Sequence, residues 1–193
     1  MKMRKDERVF LDDIVENQRV ITALLKEVDR KGVDGLVGWL RDSDYFTAPA
    51  STMFHGNVEG GLAAHSLAVY RQFDRRVEEY GFQIPPESVI VAGLLHDACK
   101  IDYYGTNTLK SGNVSDAKPY KANDAFPIGH GEKSVAMIQR YMPLTEQEAV
   151  IIRWHMGPYD PAWSDYEDKV EKLYPEAVVF HHVDKEVSLI YKV

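Results

Sequence analysis

The apolar run from Val89 to Leu95 ends directly in His96 and Asp97. Because the run is apolar on nearly every side of a helix, it predicts a helix that lies in the core. An aspartate at the end of such a helix is expected to be buried, and a buried carboxylate needs a partner or a metal ion. The His-Asp pair therefore constrains the fold most strongly, since the core must form around polar side chains.

Other predicted helices also carry a histidine or an aspartate on their apolar side. His65 lies at the edge of the apolar face of the helix predicted over 62–80, and His155 ends a second apolar stripe. His130 stands between two glycines at a helix start, where the backbone can approach a site closely. On the last helix, Asp184 lies within an apolar stripe formed by Ala177, Phe180, Val187 and Tyr191.

Four histidines and two aspartates that point inward are more buried polar groups than ordinary core residues supply. Imidazole and carboxylate together are a ligand set for a divalent transition metal. Six ligands, one of them a carboxylate able to bridge, suit two metal ions that lie close together. Such a pair can hold a hydroxide and bind a phosphate group. The residues therefore predict a site for a pair of divalent metal ions.

The hydrophobic pattern predicts an all-α single domain over 1–193, with about six to eight helices. Its parts are an N-terminal helical extension over 1–43, a loop over 43–61 and a metal-site core over 60–184. The segment 102–128 interrupts the helices and predicts a small β-hairpin or an ordered loop. Helices are predicted over 6–29, 33–40, 62–80, 131–142 and 165–173, from Pro86, from Thr145 to near Met156, and from Pro175.

Composition excludes several classes of protein. A net charge of −7 argues against a protein whose main role is to bind the phosphate backbone of a nucleic acid. Cys99 is the only cysteine, so no internal disulfide can form, and we interpret it as a small buried residue. No apolar run approaches the roughly 20 residues of a membrane span, and the first residues lack the apolar part of a signal peptide. We therefore expect a cytoplasmic protein.

The same polar residues carry a family resemblance. The motifs are Gly60-Gly61-Leu-Ala-Ala-His65-Ser, Ala92-Gly-Leu-Leu-His96-Asp97-Ala-Cys-Lys100, Gly129-His130, Trp154-His155 and Phe180-His181-His182-Val-Asp184. In this order they resemble the HD-domain superfamily of metal-dependent phosphohydrolases, in its branch with a Gly-Gly-Leu-x-x-His opening. The resemblance implies the HD-domain helical bundle and hydrolysis of a phosphodiester or phosphomonoester.

The resemblance also implies a role for each polar residue. It implies a first metal ion held by His65, His96, Asp97 and Asp184. Asp97 would bridge to a second ion held by His130 and His155, and a hydroxide between the ions would attack phosphorus. Lys100 would neutralise phosphate charge, and His55 could protonate the leaving group. Each metal could be Mn, Fe, Ni, Co or Zn.

The expected substrate is a nucleotide or another small phosphoester. A nucleic acid is less favoured, because residues 1–43 are predicted as helices and not as a nucleic-acid-binding barrel. Three other functions fit the same residues. They are a di-iron oxygenase that uses the same six ligands, a mononuclear nucleotidase in which His130 and His155 bind substrate, and a non-catalytic nucleotide-binding module.

Overall fold

The computed structural model describes residues 13–193, so residues 6–12 of the first predicted helix lie outside the described part, as does the side chain of Tyr191. Residues 13–193 form eight α-helices and one two-stranded sheet, which confirms the all-α prediction. The helices are α1 (Ile14–Leu25), α2 (Val33–Asp42), α3 (Gly61–Tyr80), α4 (Pro86–Leu95), α5 (His130–Ile138), α6 (Glu146–Trp154), α7 (Trp163–Leu173) and α8 (Pro175–Glu186). Single turns of 3-10 helix follow α4 and α6 at Ala98–Lys100 and Gly157–Tyr159, and a π-helical turn follows α8 at Val187–Tyr191.

Helix α1 ends four residues before the predicted end at residue 29. The chain turns at Lys26, and this turn lets Val28 pack in the core with 1% of its surface exposed. It also brings the guanidinium of Arg30 to the carboxylate of Glu148 on α6, with Nη1 2.6 Å from Oε2. A contact between residues so far apart in sequence overrides the local helical pattern.

Helix α4 is buried around its whole circumference, as its apolar run predicts. It packs along α3, where the two backbones approach closely at Gly93. A Cβ atom at Gly93 would lie 2.5 Å from Cα of Tyr70, so only glycine fits this crossing. On the other side, α3 meets α8 through the edge-to-face rings of Phe73 and Phe180, whose centroids are 4.8 Å apart. This packing fixes the ends of α3, α4 and α8 relative to one another.

The predicted excursion around 102–128 contains an antiparallel hairpin of β1 (Tyr104–Thr106) and β2 (Tyr120–Ala122). A hydrogen bond from Lys133 Nζ on α5 to Asp124 ties the chain after β2 to the bundle. The same ammonium lies 4.9 Å from the ring centroid of Tyr103. The hairpin is thereby held beside the N-terminal end of α5. None of the helices in residues 13–193 has the length and apolar character that crossing a membrane requires.

Candidate metal centre

Four histidines and two aspartates from separate helices meet at one point in the fold. The second turn of α3 supplies one histidine, and the residues directly after α4 supply a histidine and an aspartate. The start of α5, the residue directly after α6 and the last turn of α8 supply the rest. These are the six residues that the sequence directs inward: His65, His96, Asp97, His130, His155 and Asp184.

The carboxylate of Asp97 lies at the middle of this cluster and is 3% exposed. Its Oδ1 atom is 2.8 Å from Nε2 of His130 and 3.6 Å from Nε2 of His155. Its Oδ2 atom is 3.6 Å from Nε2 of His96 and 3.7 Å from Nε2 of His65. Each oxygen therefore faces a different pair of imidazoles, which is the arrangement that a bridging carboxylate needs.

Asp184 of α8 approaches only one of these pairs. Its Oδ1 atom lies 3.0 Å from Nε2 of His65 and 4.0 Å from Nε2 of His96. The second aspartate therefore adds an oxygen on the side of Asp97 that faces α3 and α4.

Three of the imidazoles are oriented by backbone carbonyls. Nδ1 of His65 lies 2.9 Å from the carbonyl oxygen of Val193, and Nδ1 of His96 lies 3.0 Å from that of Gly93. Nδ1 of His155 lies 2.7 Å from the carbonyl oxygen of Ile152. Because a carbonyl only accepts, Nδ1 carries the proton in each ring and Nε2 presents a lone pair to the site.

The Nε2 atoms of His65, His96 and His155 are buried, and none has a hydrogen-bond partner. Buried polar atoms are normally satisfied, so three unsatisfied nitrogens that face the same carboxylates require an explanation. A bound metal ion would explain them, since a metal-bound histidine uses one ring nitrogen as a ligand and donates a hydrogen bond from the other ring N–H to the protein. The residues present therefore fit divalent metal ions.

The charges of the cluster also suit metal binding. Burial opposes ionisation of Asp97, but Lys100 and the surrounding histidines outweigh it and hold the pKa of this carboxyl well below its usual range. Burial also acts on Asp184, where the contact with His65 lowers the pKa. Burial lowers the pKa of His96 to about 3, which keeps this imidazole neutral at pH 7. Anionic carboxylates and neutral imidazoles are the forms that bind metal, and at His155, whose pKa the contact with Asp97 raises despite burial, a metal ion would displace a proton.

The two further predicted residues lie beside the cluster. Nζ of Lys100 is 2.6 Å from Oδ2 of Asp97, and the charge of Asp97 raises the pKa of this lysine despite its burial. The ring of His55 lies 5.0 Å from that of His65, between centroids. Burial lowers the pKa of His55 to about 4, so its ring is neutral at pH 7 in the free protein. A nearby anion, such as a phosphate group, would raise that pKa again.

A cavity of about 700 Å³ opens over the cluster. Its walls come from the loop before α3, the turn after α4, the hairpin, the residues after α6, and the last turns of α8 with the residues that follow it. The wall combines aromatic rings with cationic side chains, which sequence reasoning did not identify as a group. They are Phe54, Tyr103, Tyr104, Tyr159, Lys100, Lys118 and Lys185. The loop before α3 and the hairpin have no amphipathic period, so no pattern in the sequence indicated which of their residues face the site.

Two further side chains contact the cluster through polar atoms. Nδ1 of His181 lies 2.8 Å from the carbonyl oxygen of His155 and steadies the turn that follows α6. Gly157, with a φ of +50°, leaves room for this ring, because a Cβ atom there would lie 2.8 Å from it. Sγ of Cys99 lies 3.2 Å from Nε2 of His130. The position of Cys99 two residues after Asp97 was the only sequence signal for this contact.

A family model described as HD domain matches residues 62–187, which is more than half of the chain. The match contains all six residues of the cluster. Neither the curated proteins nor the solved structures include a match to the chain.

Proposed function

Since the chain belongs to the HD domain family, whose superfamily consists mostly of metal-dependent phosphohydrolases, we propose that it hydrolyses a nucleotide-like phosphoester at a dinuclear metal centre. One observation carries this proposal. The buried Nε2 atoms of His65, His96 and His155 have no hydrogen-bond partner and face two ionised carboxylates. These donor atoms are already in place, and the two oxygens of Asp97 divide them into two groups.

The contacts support one ligand set for each side of Asp97. The first set combines Oδ2 of Asp97 with His65, His96 and Asp184. The second combines Oδ1 with His130 and His155. When bound, two divalent ions supply Lewis-acid chemistry, in which they lower the pKa of water to yield a nucleophile and neutralise phosphoryl charge. Mn, Fe, Ni, Co and Zn are all compatible with imidazole and carboxylate ligands.

The protein's own side chains bind and orient the substrate. Lys100 presents a buried positive charge next to the carboxylates, where it can hold a phosphoryl oxygen. His55 lines the cavity with its ring 5.0 Å from that of His65, between centroids, and can donate a hydrogen bond to the leaving oxygen. As a proton donor, His55 would act only once the bound phosphate had raised its pKa.

The cavity supports a substrate larger than a phosphate group. Its volume of about 700 Å³ is in the range of pockets that bind small organic ligands. The ring of Phe54, which is 74% exposed, offers a face on which a base can stack, and Lys118 and Lys185 offer charge for further phosphate oxygens. This combination favours a nucleotide-like phosphoester.

The first test is the metal content of untagged protein purified without chelators, measured by elemental analysis. We expect about two transition-metal ions per chain, followed by turnover in a panel of phosphoesters. One ion per chain would favour the mononuclear nucleotidase. No ion after reloading with manganese or iron would contradict the dinuclear centre and leave a nucleotide-binding module.

The panel is run with and without oxygen, and with two variants. Asp97→Ala removes the carboxylate that both ligand sets share, so it should lose metal and turnover while the helical circular dichroism signal is retained. Asp165→Ala removes an exposed carboxylate on α7 and should keep both. Turnover by Asp97→Ala at the parent rate would contradict the mechanism. A reaction that consumes oxygen and requires iron would identify an oxygenase instead.

A further inference from the structure

Cys99 lies inside the cluster and not merely beside it. Its side chain is on the 3-10 turn Ala98–Lys100, it is 3% exposed, and Sγ is 3.2 Å from Nε2 of His130. Potential ligand atoms of Asp97, Cys99 and His130 all lie within 4.8 Å of one another. The thiol therefore faces the same space as Oδ1 of Asp97, to which His130 is hydrogen-bonded.

The backbone fixes Cys99 in this position. Its N–H donates to Oγ of Ser134 at 3.0 Å, and Ser134 is fully buried. Ser134 and His130 are four residues apart on α5, so they lie on the same face of that helix. Ser134 thus accepts a hydrogen bond from the backbone of Cys99, and His130 contacts its sulfur.

A separate observation points to a ligand at this place. Nε2 of His155 is completely buried, has no hydrogen-bond partner, and lies 3.6 Å from Oδ1 of Asp97. His155 directly follows α6, and its ring is oriented independently of Cys99 and Ser134, because its Nδ1 atom contacts the carbonyl oxygen of Ile152. His130 and His155 therefore each direct a nitrogen to Oδ1 of Asp97, and Sγ of Cys99 lies within 4.8 Å of ligand atoms of Asp97 and His130.

We propose that Cys99 is a ligand of the second metal ion, together with Asp97, His130 and His155. This inference rests on the dinuclear centre of the proposed function. In a tetrahedral zinc site, bond lengths of about 2.0 Å to nitrogen and 2.3 Å to sulfur place these ligands about 3.5 Å apart. The separation of 3.2 Å between Sγ and Nε2 of His130 is close to that value. On binding, a metal–sulfur bond forms and the thiol proton is released to solvent.

A thiolate changes which metals the second site prefers. Sulfur ligands favour zinc and related softer ions, whereas oxygen and water ligands suit manganese. The two sides of Asp97 would then differ in chemistry, since the first set has only nitrogen and oxygen donors. The second site should select zinc or cobalt over manganese.

X-ray absorption of the zinc-loaded full chain tests this directly. We expect a sulfur shell at about 2.3 Å in addition to nitrogen and oxygen at about 2.0–2.1 Å, with one sulfur for every two zinc ions. Because Cys99 is the only cysteine, no other thiolate can produce that shell. Cys99→Ser and Cys99→Ala should lose it, and Met156→Leu, which removes a thioether from the cavity wall, should keep it.

The outcomes separate this inference from the proposed function. Absence of the sulfur shell in the wild-type protein, or its persistence in a folded Cys99 variant, overturns the role of Cys99 even where phosphoesters are hydrolysed. A sulfur shell in a protein that hydrolyses no phosphoester overturns the proposed function and keeps Cys99 as a ligand. If both Cys99 variants fail to fold, the wild-type spectrum alone decides.

Discussion

Nζ of Lys100 lies 2.6 Å from Oδ2 of Asp97, while Nε2 of His130 lies 2.8 Å from the other oxygen of the same carboxylate. The two oxygens therefore have different surroundings, because Oδ2 contacts an ammonium in addition to the imidazoles of His65 and His96, whereas Oδ1 faces the imidazoles of His130 and His155. Lys100 also lines the cavity, so its charge is available to a substrate that lies over the cluster.

Lys100→Met should lower kcat/KM by about 10²–10³-fold, the usual loss when one donor to a developing charge is removed. An ammonium has no lone pair, so Lys100 is not a ligand and the metal content should not fall. Steady-state kinetics and elemental analysis of the same preparation check both statements. Lys110→Met, which removes an exposed lysine of the hairpin region, should leave kcat/KM unchanged. Loss of metal from Lys100→Met would show that this lysine supports the site rather than the substrate.

Removal of metal should destabilise the protein. Metal ions that bind only the folded chain stabilise it by about 2.7 kcal/mol at a free concentration 100 times the Kd. We expect a chelator to lower Tm and added zinc or manganese to restore it, as measured by differential scanning calorimetry. Asp97→Asn should show no metal-dependent shift, whereas Asp165→Asn should shift like the wild type. An equal shift in both variants would place the metal elsewhere.

The helical part of the fold could be predicted because it follows local patterns. The capping box of α6 between Thr145 and Glu148 is present as its sequence predicts. The inward direction of His65 and Asp184 followed from the 3.6-residue period of their helices, and the structure brings both into the cluster. Where the period is clear, a ligand can be placed on the inner face before any tertiary contact is known.

The remainder depends on contacts between distant segments. Cys99 and His130 are 31 residues apart, and their approach depends on how α5 packs on the turn after α4. The early end of α1 has a similar cause, because Arg30 contacts Glu148 118 residues further on. The hairpin residues that line the cavity lie in or beside strands of three residues, which are too short to show an alternating pattern. Tertiary packing decides such features.

The same substitution at two helical glycines should have opposite effects. Gly93→Ala places a methyl group 2.5 Å from Cα of Tyr70, so α3 and α4 must separate and the free energy of unfolding should fall by about 1–3 kcal/mol. Gly38→Ala meets no atom within 4 Å and should raise it by about 0.4–1 kcal/mol. Urea denaturation at pH 7 measures both values. Equal effects at the two positions would contradict the close contact between α3 and α4.

The ion pair of Arg30 and Glu148 connects the chain after α1 to α6 in the interior. Glu148 is fully buried, and its Oε1 atom also accepts a hydrogen bond of 2.7 Å from Oγ of Ser88. Burial raises the pKa of Glu148, but hydrogen bonds from Arg30, Thr145 and Ser88 outweigh it, so the pKa is lower than usual. The pair therefore contributes stability above the pKa of the unfolded carboxyl, and this contribution is lost as pH falls through the lower folded pKa.

Arg30→Met leaves a buried carboxylate without its cation and should reduce the free energy of unfolding by about 3–5 kcal/mol at pH 7. The difference from the wild type should shrink as pH falls towards the pKa of an unfolded glutamate, because loss of Arg30 raises the pKa of the buried Glu148 and protonation then neutralises it first in the variant. Urea denaturation of the variant and the wild type between pH 7 and pH 3 measures the free energy of unfolding and tests both predictions. Arg76→Met removes partly exposed pairs with Glu79 and Glu186 and should cost no more than about 1 kcal/mol at any pH. A difference for Arg30→Met that stayed constant down to pH 3 would mean that lost packing of the arginine stem, and not the charge of Glu148, determines its effect.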